Sequence, residues 1–169
     1  MVSFHETEES ACSRRPLPWA RPRCCAGRWE PPRPVPPRPT VTCANVGAVG
    51  ECLDFRADPE YGVYTTGCNE GAYQTWTMAT LPETATAMRQ NAGSRLCLVA
   101  RSGQPTMKPC LAGDQAALWT VHDLGPSTTG YQIINKATGT CLIAGSGAIH
   151  HVSLGACAGG GSRQWIVYS

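Results

Sequence analysis

Residues Cys52–Trp76 read CLDFRADPEYGVYTTGCNEGAYQTW. A Cys-Leu-Asp opens the stretch, a second cysteine, Cys68, interrupts it, and a Gln-Thr-Trp closes it. The same outline returns twice: Cys97, Cys110 and Trp119 in RLCLVA, PTMKPC and AALW, then Cys141, Cys157 and Trp165 in GTCLIA, HVSLGAC and SRQW. Successive Cys-Leu pairs are 45 and 44 residues apart, the paired cysteines 16, 13 and 16, and the second cysteine and the tryptophan 8, 9 and 8. A fixed period of this size is the signature of a repeat architecture and outranks any local reading. Residues 41–169 are therefore read as three units, about 41–80, 81–124 and 125–169.

Within a unit the apolar runs are short and broken by Gly, Pro, Asn and Asp, which predicts strands and an all-β fold. The third unit is the clearest. YQIIN, TCLIA, HHVSLGA and QWIVYS are apolar or alternating, and KATG, GSG and AGGGS separate them. Four strands per unit predict twelve. A unit of some 43 residues buries too little surface to stand alone, so covalent staples are expected. Pairing each Cys-Leu cysteine with the later one in its unit (Cys52 with Cys68, Cys97 with Cys110, Cys141 with Cys157) closes loops worth about 3 kcal/mol each in the chain-entropy account. A zinc site, the other use of such cysteines, lacks any CxxC pair. Trp76, Trp119 and Trp165 recur at one phase of the repeat inside apolar runs, as a pseudo-threefold core layer requires.

Residues 1–40 differ in kind. They hold nine of the fourteen prolines and seven arginines against four glutamates, a local charge of +3, which leaves residues 41–169 at −1. A nearly neutral globular part gives no support to nucleic-acid binding. PPRPVPPRP, Pro31 to Pro39, favours an extended polyproline segment, and the whole stretch is expected to be a disordered tail or linker. No run of about 18 apolar residues predicts a membrane span, and no apolar stretch near the start reads as a secretory leader. Ten cysteines nevertheless point to an oxidising compartment, so an extracellular location is expected, with a leader outside this sequence. Cys12, Cys24, Cys25 and Cys43 fall outside the three staples. Vicinal Cys24 and Cys25 rarely bond each other, and a cross-link from one of them to Cys43, free thiols and pairing between chains all stay open.

With these residues in hand, the chain resembles the ricin-type, or QxW, β-trefoil lectins, which occur as carbohydrate-binding modules on secreted hydrolases. The thrice-repeated Cys-Leu and Cys-to-Trp outline and the INKATGTCL of the third unit carry the resemblance, which covers residues 41–169. It implies a six-stranded barrel capped by three hairpins, with one shallow sugar pocket per unit. It also implies what a working pocket contains: an Asp just after Cys-Leu, an aromatic platform two residues before the second cysteine, and an Asn-Gln-x-Trp ending. A carboxylate accepts bonds from neighbouring sugar hydroxyls, a ring stacks on the apolar face of a pyranose, and an amide supplies both donor and acceptor.

The first unit keeps Asp54 and Gln74 but has Thr66 at the platform and Tyr73 in place of the Asn; Tyr64 or Tyr61 is the substitute ring and Asn69 the substitute amide. In the second unit the Asp, platform and Gln positions hold Val99, Lys108 and Ala117, and in the third Ile143, Gly155 and Arg163. The expectation is weak glycan binding by the first unit through Asp54, Tyr64, Asn69 and Gln74, to a galactose- or xylan-type polysaccharide. Competing roles exist for two of these: a solvated turn carboxylate for Asp54 and a backbone-bonding amide for Gln74. His150 and His151 are adjacent on a strand, point to opposite faces and read as surface residues. No catalytic signature such as G-x-S-x-G occurs, and no acidic residue recurs by unit, so no enzyme activity, metal or cofactor is expected. The partners expected are a glycan and an attached or partner hydrolase, and the oligomeric state a monomer. The alternative is a trefoil with decayed sugar sites whose loops contact a protein.

Overall fold

Trp76, Trp119 and Trp165 are fully buried, and each indole N–H donates to the carbonyl of the leucine in its own unit's Cys-Leu pair: Leu53 at 3.2 Å, Leu98 at 2.8 Å and Leu142 at 3.0 Å. A buried indole needs a partner for its nitrogen, and here the same partner is found three times. The computed structural model describes residues 38–78 and 83–169. The tail's polyproline run up to Pro37, together with Cys12, Cys24 and Cys25, lies outside them.

Fourteen strands run through these residues. The first group is β1 (Thr40–Asn45), β2 (Glu51–Arg56), β3 (Gly62–Gly67) and β4 (Thr75–Thr77). The second is β5 (Thr86–Ala87), β6 (Arg89–Gln90), β7 (Cys97–Arg101), β8 (Gln104–Lys108) and β9 (Leu118–Asp123). The third is β10 (Tyr131–Asn135), β11 (Cys141–Ile143), β12 (His150–His151), β13 (Ser153–Gly155) and β14 (Trp165–Tyr168). Antiparallel pairing closes a ring: β14 on β1, β1 on β4, β4 on β6, β5 on β9, β9 on β10 and β10 on β14. Because β5 and β6 are one strand interrupted at Met88, the ring has six members, the closed barrel of a β-trefoil. The excess over the twelve expected strands comes from that interruption and from the break at Val152 between β12 and β13.

Three hairpins leave the barrel: β2–β3, β7–β8 and β11–β13. Disulfides Cys52–Cys68, Cys97–Cys110 and Cys141–Cys157 tie each hairpin to the segment after it. Val41, Met78, Met88, Leu98, Ile133 and Leu142 join the tryptophans in the interior, each worth about 1.5–3 kcal/mol by burial. Cys43 is also inside, as a free thiol among the described residues, and burial pushes its pKa up to about 12. Cys43 faces an apolar interior, where it acts as a small hydrophobe; Cys24 and Cys25, the candidates for a cross-link to it, lie outside the described residues.

A second threefold device is invisible in the Cys and Trp pattern. Asn45, Gln90 and Asn135 are spaced 45 residues apart and are all buried. Asn45 donates to the Ser162 and Gln164 carbonyls and accepts the backbone N–H groups of Gly47 and Ala48. Asn135 repeats this with the Ala116 and Leu118 carbonyls and the N–H groups of Ala137 and Thr138. Gln90, one methylene longer, still donates to the Tyr73 carbonyl at 2.6 Å, but its Oε1 is buried without a partner.

Candidate functional site

The β2–β3 hairpin sets Asp54 directly opposite Tyr64. Asp54 is 5% exposed and not a solvated turn carboxylate; it sits at the edge of a cleft of about 720 Å³. Gln74 Nε2 donates to Asp54 Oδ2 at 3.1 Å and to the Gly67 carbonyl at 3.0 Å, while its Oε1 accepts the Asn69 N–H at 2.8 Å. Gln74 is fully buried, so its amide is committed to the protein: it fixes the carboxylate and the turn after Cys68 together. Burial raises the Asp54 carboxyl above its ordinary value, against the lowering effects of the Gln74 hydrogen bond, the Phe55 backbone amide and the Arg56 charge.

Asn69 lines the cleft, and its Oδ1 accepts the Gly71 N–H at 2.8 Å, which turns the chain tightly behind the disulfide. Its side-chain NH₂ has no hydrogen-bond partner among the described residues. Tyr64 stands on the same hairpin with its ring 5.3 Å from that of Tyr61, edge to face, and the Arg56 guanidinium lies 4.9 Å from the Tyr61 ring centre. The structure thus brings Asp54, Tyr64 and Asn69 to one cleft, with Gln74 behind them. Thr66, at the platform position, is on the lining too.

Sequence reasoning missed three contributors. Tyr73, counted as a departure because it replaces an Asn, is 58% exposed and on the cleft wall. Gly93 and Ser94 come from the turn after Gln90, in the second group of strands; only the barrel's closure brings that turn to the first hairpin. The Gln90 bond to the Tyr73 carbonyl joins the two sides. A run of Tyr, Gln and Trp signals the first of these in hindsight, but nothing local signals the second.

At the equivalent positions elsewhere, Val99 is fully buried and Ala117 is 3% exposed, so no carboxylate and no amide clamp are present. A cleft of about 640 Å³ remains there, its charges an Arg101–Asp114 pair at 2.7 Å and Lys108. In the third group Arg163, at the Gln74 position, donates to the Ala156 carbonyl at 2.9 Å. His150 differs from the surface reading: it is half-buried, and its Nδ1 lies 2.6 Å from Glu51, whereas exposed His151 Nδ1 lies 3.0 Å from the Tyr61 carbonyl.

The model of the ricin-type beta-trefoil lectin domain matches residues 39–165. No curated protein sequence matches the chain. Among solved structures it is similar to the designed threefold-symmetric protein ThreeFoil, with TM-score 0.63 and 18% identity over 77% of this chain and 98% of that one. It is similar to the Polyporus squamosus lectin bound to the human-type influenza-binding epitope Neu5Acα2-6Galβ1-4GlcNAc, with TM-score 0.62, 14% identity, and 79% and 49% of the two chains covered. It is also similar to a GlcNAcα1-4Gal releasing endo-β-galactosidase from Clostridium perfringens, with TM-score 0.61, 13% identity, and 76% and 31% covered. The chain spans about half the length of the lectin and under a third of the galactosidase.

Proposed function

This chain belongs to the ricin-type β-trefoil lectin family, and from that premise we propose that it is a non-catalytic carbohydrate-binding module whose working site is the cleft over Asp54. The observation that carries the reading is the buried Asp54 carboxylate, held in place by the fully buried Gln74 at the edge of a cleft with tyrosines on its wall. The roles proposed for its residues are these. Asp54 Oδ1 accepts sugar hydroxyls, Asn69 donates its free NH₂, and Tyr73 or Tyr64 offers a ring for stacking. Gln74 is a positioning residue that never meets the ligand.

A single cleft without avidity implies millimolar to high-micromolar affinity, about 4 to 6 kcal/mol. A galactose- or xylan-type polysaccharide is the ligand class. Three disulfides suit a secreted protein, and the accessory position such domains hold in hydrolases fits a role of keeping an enzyme on its polymer. A second reading, a trefoil that contacts protein, draws on Val99 and Ile143 standing where a sugar site needs a carboxylate and on the exposed Leu111 beside the second cleft. A glycan array or affinity gel with Asp54→Ala as control separates the two: retention lost in the variant supports the sugar site. No retention of the parent protein on any glycan leaves the protein-contact reading standing.

A further inference from the structure

A second recess of about 250 Å³ adjoins the Asp54 cleft. Tyr64 and Thr66 line both, so the two share a wall. The far side of the recess comes from the third group of strands: β12 pairs with β3, placing His150 opposite Thr65 and His151 opposite Tyr64, and Ala148 and Ile149 complete the rim.

The recess has a built polar floor. Glu51 accepts from the Thr65 hydroxyl at 2.5 Å and from His150 Nδ1 at 2.7 Å on the same oxygen, with its other oxygen 2.6 Å from that nitrogen. Thr65 is 3% exposed, and the carboxylate and ring are only partly exposed. Burial works against the Glu51 charge, but the Thr65 and His150 bonds outweigh it and hold the carboxyl below its ordinary range. With Nδ1 committed to Glu51, the other ring nitrogen of His150 is left for a ligand, since the bond made by one imidazole nitrogen sets the role of the other. The hydroxyls of Tyr61 and Tyr64 have no protein partner among the described residues. Strand order β2, β3, β12 separates Asp54 from the His150 strand by two strand spacings, about 10 Å, which is the reach of linked pyranose rings rather than of one.

We infer that the site is extended: the recess over Glu51 and His150 takes a second sugar unit of a neutral oligosaccharide whose first unit occupies the Asp54 cleft. This rests on the sugar-binding reading above. Neutrality follows from the carboxylates of Asp54, Asp58 and Glu51 along the path, against which, among the described residues, Arg56 is the one permanently charged cation of the lining. Hydroxyl groups find acceptors there, while an acidic sugar meets Glu51.

The test is calorimetric titration, with amide shift mapping, of xylose, xylobiose and xylotetraose, then galactose, lactose, lacto-N-neotetraose and sialyllactose. The expected result is that the tetrasaccharide of one series binds at least tenfold tighter than its monosaccharide, with shifts reaching Ile149 and His150, and that sialyllactose gains nothing over galactose. His150→Ala removes the gain while monosaccharide affinity stays within twofold. Ala148→Trp, which fills the exposed rim and leaves the hydrogen bonds intact, does the same. Equal affinity along both series, or a gain that survives both variants, overturns the extended site alone. No response to any sugar overturns it together with the reading beneath it.

Discussion

The first and second repeats of this trefoil are built on the same parts: a buried tryptophan bonded to a leucine carbonyl, a disulfide across a hairpin, and a cleft of similar size beside it. They differ in what lies under the cleft. In the first, Gln74 and Asp54 form a buried polar pair; in the second, Ala117 and Val99 fill the same places with hydrocarbon. Since both hairpins fold, the polar pair is not needed for the scaffold. Burying a carboxylate is unfavourable unless it is bonded, so its presence in one repeat only is what the proposed site rests on.

Four measurements press on that contrast. The largest effect is expected from the parts the repeats share: Trp76→Ala, Trp119→Ala and Trp165→Ala should each destabilise by about 3–5 kcal/mol in urea unfolding. A tryptophan with half the effect of the others would show that the threefold scaffold is not energetically threefold. Next, Gln74→Ala strips Asp54, Gly67 and Asn69 of buried partners and should cost about 1–3 kcal/mol, with loss of sugar binding. If it costs nothing, as the second repeat's Ala117 tolerates, the clamp assigned to Gln74 is wrong.

A smaller effect is expected at Gln90. Gln90→Asn restores the residue present at positions 45 and 135, whose Oδ1 accepts two turn N–H groups. It should stabilise by about 1 kcal/mol, read as a raised urea midpoint; destabilisation would mean that the Tyr73 bond matters more than the orphan oxygen.

The smallest signal is in pH dependence, and its two signs are opposite. The Asp54 carboxyl is raised above 3.8 in the folded state. The folded chain therefore holds its proton longer than the unfolded one, and stability falls as pH rises from 3.8 through the raised value. Asp54→Asn should remove that fall while weakening sugar binding about tenfold or more, the loss of a bond to a charged group. Glu51 is lowered below 4.5, so its contribution is present above 4.5 and fades as pH drops through the folded value; Glu51→Gln should remove that rise. Urea midpoints from about pH 3 to about pH 7 read both slopes.

Much of the fold was legible because covalent and packing constraints recur at fixed intervals. Cys52, Cys97 and Cys141, with their partners and tryptophans, appear in one dimension as they do in three, since each staple closes within its own unit. Asp54 and Gln74 were legible as a pair because they flank one disulfide. Tyr73 was not, because a substituted position reads as a loss until its exposure is known. Gly93, Ser94 and His150 were not, because they reach the first hairpin only across strand pairings between groups: β4 with β6, and β3 with β12.

The order of residues alone gave a triplicated all-β chain with a staple expected in each unit, its family resemblance implied the barrel, and both singled out the first unit as the one with a carboxylate and an amide in place. Tertiary structure decided that Gln74 faces inward to hold Asp54, that Cys43 is an inert interior thiol, and that Glu51 and His150, 99 residues apart, meet beside the Asp54 cleft. The physical reason is range. Staples and periodic apolar positions act within a unit and leave their spacing in the sequence, whereas a binding surface at a seam between units depends on strand registers that no local spacing encodes.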